Sequence, residues 1–517
     1  MTALLLRGGV VFDGVSPQKR HASVLIHDGI ISEVGSDLSP SEASTVLDID
    51  GAWLTPGFID PHSHADAAVL TGEQMENRAH SGVTTEIVGQ DGLGLAHAKG
   101  AAAEHMTELL TPIAGDVTGL LCDGVREYLK RVDTGAYARA GTLSPHGTIR
   151  ASVIGRDLIP ANDDQLSAMV SLFLTDMREG SLGLSTGLSY PPAIASSSEE
   201  IATLLSAHGR GTVYVTHLRS YGKDFEGALD EAVEITRQSS CHLHLSHFHV
   251  SGPGRASLAG DFLNRLEAME PSPTLDSYPY PHACTFLTAL LPTRLQDLSY
   301  QELQRVVQTR KMEIISELAD TGPEATISVG WDNLVVSGLV GEKEPLNGLT
   351  LTQIGARASS GPEAAVVDII VGQPRSPMVL VPQGHIDNIR TIASSPWQVV
   401  GSDGIFGSGG PHPRLTGTFF RFMKDAMGGN MPLSVESAVS KMTSQTASIF
   451  GLNSGVIAPG YPADLLVIDP DHIERGDDVR PSRPSCIQHA FIGGDQTIKS
   501  GVWQGRKLSG MAVRGKQ

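Results

Sequence analysis

Cysteine is scarce in this chain. There are four in 517 residues, Cys122, Cys241, Cys284 and Cys486, widely scattered and with no C-x-x-C pair. That excludes a disulfide framework and points to a reducing, cytoplasmic compartment. Long apolar runs are also missing. No window approaches 18 apolar residues, so no membrane-spanning helix is expected. The opening MTALLLRGGVVFDG lacks the basic start and long apolar stretch of a signal peptide. Positive charge is in deficit, with 38 Lys and Arg against 57 Asp and Glu, a net charge of −19. Neither nucleic acid nor an anionic membrane is therefore an expected partner. An anionic substrate would need local positive groups, such as a metal or a placed arginine. There is no G-x-x-x-x-G-K-[ST] phosphate loop. No solenoid repeat or low-complexity tract appears.

What remains is a globular composition, 40% hydrophobic and 18% charged. The chain is too long for one compact layer, so one large domain and a smaller one are expected. The first 50 residues alternate and turn often (ALLLRGGVVFDG, ASVLIHDGIISEVG, TVLDIDG), as do DLLVIDP and HAFIGGDQTIKSGVWQG near the far end. β segments at both ends of a chain can pair into one domain, which spares each an exposed sheet edge. Residues 1–56 and 455–517 are assigned to it, and 57–454 to the main body.

That body alternates strands with helical stretches. Candidate strands are TPGFIDPH (55–62), TTEIVGQDG (84–92), GTIRASVIG (147–155) and LGLSTGL (182–188). TVYVTHL (212–218), CHLHLSHFH (241–249), SPTLDSYPY (272–280) and WQVVGSDG (397–404) follow, and PMVLVPQG (377–384) and EAAVVDIIVG (363–372) also look like strands. Near-continuous apolar runs suit buried parallel strands. Between them lie helical patterns such as 164–180 and 225–238. Eight such units suggest an α/β (β/α)8 barrel. A stretch from about 287 to 376 breaks the repeat, beginning with a charged helical segment (300–320), and reads as an insert over the barrel mouth, either a lid or a peripheral subdomain.

Barrel enzymes carry their catalytic groups where the strands end. His62 and His64 of GFIDPHSH leave the first strand on one side, because side chains at i and i+2 share a face. Gln90 and Asp91 follow the second strand. His146 precedes the third, at the wrong end. His217 ends the fifth, His247 and His249 the sixth, Tyr278 and Tyr280 the seventh, and Asp403 the eighth. Any one of these histidines is adequately explained as a satisfied core residue, and Asp403 as a turn residue. Together they describe a metal site, since zinc accepts histidine nitrogen and aspartate oxygen. Such an ion acidifies a bound water and polarises a carbonyl. A nearby carboxylate, for which Asp403 is the candidate, can move the proton to a leaving amine. That combination hydrolyses amides.

These residues resemble the amidohydrolase superfamily. The marks are PGFIDPHSH, the single histidines on later strands, the aspartate of the last strand, and GVIAPGYPADLLVIDP (455–470). Within it the chain resembles the D-aminoacylase, or N-acyl-D-amino-acid deacylase, family. The matching stretches are GVTTEIVGQDGLGLA (82–96), GSLGLSTGLSYPP (180–192), YVTHLRS (214–220), LSHFHVSG (245–252), YPYPHACTFL (278–287), GSDG (401–404) and HPRLTGTFFRFM (412–423). The resemblance covers almost the whole chain, least well 290–375. It implies a (β/α)8 barrel with a small β-sandwich made from both chain ends. It also implies zinc-dependent hydrolysis of an N-acyl-D-amino acid, with one or two zinc ions per chain. His217 and His247 would hold the tight zinc, His62 and His64 would belong to a second position, and Asp403 would be the general base and acid. Arg414 would bind the substrate α-carboxylate with Tyr280 as partner, an arginine fork suiting a carboxylate. The strand-end loops near Tyr190 and the insert after 287 are the candidate acyl pocket.

Two departures fall on binding positions. The family typically has G-N-C-G with a zinc-ligating cysteine where this chain has Gly89-Gln90-Asp91-Gly92. Asp91 offers a harder oxygen, which can bridge two metals and shift metal preference. A lysine usually follows the second zinc histidine by two residues; here it is His249, which brings no fixed charge. Cys284 stands where serine is commoner. The rival readings are an amidohydrolase acting on a cyclic amide or an unusual dipeptide, a nucleobase-type deaminase, and a metal-free scaffold. No lysine ends a central candidate strand, as the carbamylated-lysine enzymes require, and a scaffold would not keep the whole ligand set.

Overall fold

The computed structural model describes residues 3–39, 43–222, 224–252, 254–296, 298–323, 329–382, 384–407 and 412–515. Eight parallel strands form its centre: β1 (Phe58–Asp60), β2 (Val83–Val88), β3 (Arg139–Thr142, continuing as Ser144–Pro145), β4 (Leu184–Gly187), β5 (Val213–His217), β6 (His242–Leu245), β7 (Thr274–Ser277) and β8 (Gln398–Val400). β1, β2 and the first part of β3 pair in that order, and the second part of β3 leads through β4, β5, β6 and β7 to β8. The ring closes just past the strands. Asp403 N donates to His62 O (2.8 Å) and His64 N to Gly404 O (3.0 Å), with a parallel bridge between Ser63 and Gly404. This is the expected (β/α)8 barrel. All six residues of β2 are buried, as a strand covered on both faces requires.

Two apolar runs read as strands are helices. GTIRASVI belongs to the helix His146–Ile154, and β3 lies earlier, in the short run RAGTLSP. EAAVVDIIVG lies in the helix Pro362–Gly372. Periodicity does not separate a buried helix from a buried strand when apolar residues run on without a polar face. The amphipathic segments form helices where the pattern places them. Asp163–Glu179 opens on a capping box between Asn162 and Gln165 and stops at Gly180, whose φ of 103° suits only glycine. The charged segment at 300–320 is two helices, Tyr300–Thr309 and Lys311–Thr321.

Both chain ends join one nine-stranded sheet, in which Leu465–Ile468 pairs antiparallel with Trp53–Pro56. Alternation divides its side chains. Leu465 and Val467 enter a core with Leu6, Val24 and Phe491, whereas Leu466 and Ile468 pack with Phe58 and Phe419 toward the barrel. The sandwich expected from the two ends is thus a continuous hydrogen-bonded sheet enclosing its own core. The insert lies between β7 and β8. With the flanking strands His282–Phe286 and Met378–Pro382, the second of which pairs antiparallel with the first and with Val335–Ser337, its helices surround a separate core that includes Leu287, Leu303, Val366 and Val381. No helix is long and apolar enough to cross a membrane among the described residues.

The closing seam of the barrel is held by buried charge. Arg78, Asp60 and Glu86 are fully inaccessible. Arg78 Nε donates to Glu86 Oε1 (2.8 Å), Nη2 bridges Glu86 and Asp60, and Nη1 reaches Leu415 O (2.7 Å). Asp60 also accepts from the backbone N–H of His62 (3.1 Å) and Ser402 (3.0 Å), which ties β1 to the residues after β8. Removing one partner of a buried ion cluster leaves bare charge behind. Arg78→Met is therefore expected to destabilise the fold by roughly 3–5 kcal/mol, measured by urea unfolding. A loss below about 1 kcal/mol, the range of surface pairs, would contradict this account of the seam.

Candidate active site

Three non-glycine residues in left-handed backbone conformations sit at the mouth of the barrel. Asp91 (φ 55°), His247 (φ 33°) and Asp403 (φ 48°) each follow a barrel strand. Asp and His enter this region more readily than most residues, and such positions collect at functional sites. The turn Gln90–Gly92 carries Asp91 inward over β4. A Cβ on Gly187 would collide with the carbonyl oxygen of Asp91, so the glycine of STGL allows this approach.

The side chains converge in two groups. His62, His64, Asp91 and Asp403 form one; Asp91, His217 and His247 form the other; within each, the ligand atoms lie within 4.8 Å of one another. Asp91 belongs to both. Its Oδ1 lies 3.5 Å from His62 Nε2 and 3.6 Å from His247 Nε2, and its Oδ2 lies 3.7 Å from His64 Nε2 and 3.6 Å from His217 Nδ1. Asp403 Oδ1 is 3.5 Å from His64 Nε2 and 3.8 Å from His62 Nε2. All six residues are buried. His62 Nε2 and Asp91 Oδ1 have no hydrogen-bond partner among the described residues. Buried polar atoms left unpaired at separations beyond a hydrogen bond, in a set of imidazole and carboxylate donors, fit zinc.

Supporting groups fix which nitrogens face inward. Ser189 Oγ meets His217 Nε2 (2.8 Å), which turns Nδ1 toward the centre, where it lies 2.9 Å from His247 Nε2. His62 Nδ1 meets Asp276 Oδ2 (3.3 Å), which leaves Nε2. Asp276 also meets His244 Nε2 (3.2 Å) and accepts from His247 N (2.9 Å), so one carboxylate on β7 holds a histidine from each group. Asp276 is not among the strand-end ligands expected from the sequence, because it lies inside a strand and contributes no atom to either ligand group. An acid in the apolar run TLDSYP was the available signal.

The electrostatics match a site built for cations. Burial alone would lower the pKa of His62, but Asp276, Asp91 and Asp403 raise it to about 10. Burial works against ionisation of Asp91, yet His62 and His217 hold it well below the usual carboxylate range. Asp403 falls to about 2 against the cost of burial, chiefly through Arg414.

The remaining predicted residues divide. Arg414, at the start of the helix Arg414–Met427, places Nη2 2.8 Å from Asp403 Oδ2 and Nη1 3.2 Å from the hydroxyl of Tyr278. Its guanidinium also lies over the Tyr278 ring, 4.9 Å from the centroid. Tyr280, expected as the partner of Arg414, instead lies under Arg421 (4.3 Å). Residues i and i+2 end on one face only while the strand continues, and β7 stops at Ser277. Tyr190 packs on the His217 ring (4.7 Å). His249 stacks on Tyr221 (4.5 Å), its Nδ1 meets His247 O (2.7 Å), and burial pushes its pKa down to about 3. It is therefore neutral, with Nε2 left as an acceptor. Tyr190, His249, Cys284 and Arg414 line, with His64, Asp91, His217, His247 and Asp403, a cavity of about 270 Å³.

Residues 45–308 and 347–502 match the amidohydrolase family. The chain belongs to that family. It is 31% identical over 520 residues to a D-aminoacylase of Alcaligenes xylosoxydans xylosoxydans, covering 98% of this chain and 96% of that one. An N-acyl-D-aspartate deacylase of the same organism is 28% identical, covering 91% and 86%. A solved D-aminoacylase, characterised by a binuclear metal center with one-metal activation and second-metal attenuation, superimposes with a TM-score of 0.79 at 27% identity, with 99% of each chain covered. This amidohydrolase is a metal-dependent hydrolase with two adjoining candidate metal positions.

Two outcomes check the centre. Asp276→Asn weakens zinc binding on the order of 10- to 100-fold, the cost of losing a carboxylate behind a ligand histidine, with the fold retained; unchanged affinity in a chelator competition would contradict its role. Below the raised pKa of His62, a proton occupies that ring in the metal-free protein and must leave when zinc binds. Calorimetry at pH 7.5 in buffers of different ionisation enthalpy is expected to show net proton release. No release would mean that His62 stays outside the centre.

Proposed function

We propose that this amidohydrolase cleaves the amide bond of N-acyl-D-amino acids, giving a carboxylate and a free D-amino acid. The carrying observation is the buried Asp403–Arg414 pair beside the two ligand groups, which puts a proton-accepting carboxylate and a permanent cation on one side of a single cavity. The D-aminoacylase and N-acyl-D-aspartate deacylase activities of the relatives support the substrate class. His62, His64, Asp91, His217 and His247 would hold the zinc, one or two ions per chain. Zinc bound there supplies Lewis acidity toward the amide carbonyl and acidifies a water.

The chain's own residues do the rest. Asp403, kept ionised by Arg414, takes the proton of the attacking water and delivers it to the leaving nitrogen. Arg414 orients the α-carboxylate. Its Nε has no partner among the described residues, whereas Arg219, the other arginine on the cavity, is committed to Glu231 (2.8 and 2.9 Å). His249 carries no charge, so Arg414 has no lysine to share the task. Tyr190 walls the side occupied by His217. We further assign residues 1–56 and 455–517 to the small β domain and 57–454 to the barrel, with 287–376 as insert. The unpaired cysteines support a reducing cytoplasmic compartment.

The test is amine release by the zinc-loaded enzyme from matched N-acyl-D- and N-acyl-L-amino acids, with Asp403→Asn alongside. D-substrates are expected to be cleaved with at least about 10²-fold preference. The variant is expected to lose roughly 10²–10⁴-fold in kcat while keeping its zinc. Preference for the L-series, or near-normal turnover by the variant, would sink the proposal.

A further inference from the structure

A second and larger chamber of about 430 Å³ adjoins the metal cavity. Leu93, Tyr190, Phe286, Ala289 and Gln296 line both and form the neck. The Tyr190 and Phe286 rings meet edge to face there at 6.2 Å. Beyond the neck, the helix Ala103–Ala114 supplies one wall and the insert the other, with apolar side chains such as Leu109, Pro112, Leu298 and Leu303. A volume of this size accommodates a ligand fragment far larger than an acetyl group.

The chamber also holds polar groups that the fold leaves unused. His105 is 94% buried, lines the chamber, and neither ring nitrogen has a hydrogen-bond partner among the described residues. Arg375 lines it too, and its Nε is buried and unpartnered among the described residues. A third basic residue, Arg156, is neutralised by Glu108 at 2.6 Å. Buried donors of this kind are normally satisfied. Here an imidazole and a guanidinium face a greasy chamber that shares five lining residues with the metal cavity.

Orientation follows from the proposed reaction, on which this step rests. Asp403 protonates the leaving nitrogen, so the amino-acid half lies on the Asp403–Arg414 side. The acyl half then points away, toward His217 and Tyr190, where the neck opens. We infer that the second chamber is the binding site for a long acyl group, apolar along its length and ending in a hydrogen-bond-accepting group, such as a carboxylate, held by His105 and Arg375.

The experiment compares kcat/KM of the zinc-loaded enzyme for N-acetyl-, N-octanoyl- and N-(7-carboxyheptanoyl)-D-leucine. Burial of each added methylene is worth on the order of a threefold gain, so octanoyl is expected to exceed acetyl at least tenfold, and carboxyheptanoyl to match or exceed octanoyl. Leu109→Trp, which fills the chamber, is expected to lower both long substrates tenfold or more and to leave N-acetyl-D-leucine within about twofold. His105→Leu is expected to remove the advantage of the carboxylate and spare the octanoyl substrate. Equal rates for all three acyl groups, with Leu109→Trp indifferent, overturn the inference. A preference for octanoyl with carboxyheptanoyl disfavoured overturns the roles of His105 and Arg375. Titration of suberate, the free eight-carbon diacid, into the metal-free protein separates this step from the reaction itself. Binding that Leu109→Trp abolishes supports the chamber even if no N-acyl-D-amino acid is cleaved, and absence of binding in that case overturns it.

Discussion

Burying the carboxylate of Asp91 among four imidazoles is the constraint on which the rest of the site depends. An ionised carboxylate in the interior is costly unless paired, and the nearest of the four histidines stands 3.5 Å from it. The arrangement makes sense when cations stand between the donors. In their absence a proton on His62 serves, which is why that ring is so much more basic than an ordinary histidine. With ions bound, sharing one carboxylate between the His62–His64 and His217–His247 pairs would make the two candidate positions interdependent, each ion altering the charge seen by the other.

The barrel keeps this cluster in register. His62 and His64 hang from β1 and Asp403 from the end of β8, across the seam that Arg78, Asp60 and Glu86 lock together. Asp276 braces His62 from behind and fixes His247 through its backbone. The ion cluster thus acts on the site through the fold, and Asp276 acts on it directly. Arg414 completes the assembly by keeping Asp403 ionised and by bringing one positive charge into a strongly acidic protein.

Much of this was legible in the sequence because strand geometry projects it. H-x-H beyond an apolar run, single histidines at later strand ends and an aspartate after the last are one-dimensional marks of a three-dimensional ring. The third strand escaped because RAGTLSP is short, with glycine and proline, while the adjoining GTIRASVI is the better strand former and yet is a helix. That a carboxylate at this position can bridge two metals follows from its chemistry, but the placement of Asp91 between the two ligand groups rests on a left-handed turn and on the bare Gly187 beneath it, neither of which a pattern displays. Tyr278 rather than Tyr280 meets Arg414 because the strand ends before either tyrosine, so alternation ceases to govern which one turns inward.

The central claim is that Asp91 joins two metal positions. Anomalous scattering at the zinc edge, from crystals of the zinc-loaded protein, tests it most directly. Two peaks flanking the Asp91 carboxylate, one against His62 and His64 and the other against His217 and His247, are the predicted result. A zinc peak that Asp91 does not ligate, or no peak within the cluster at saturating zinc, would contradict it.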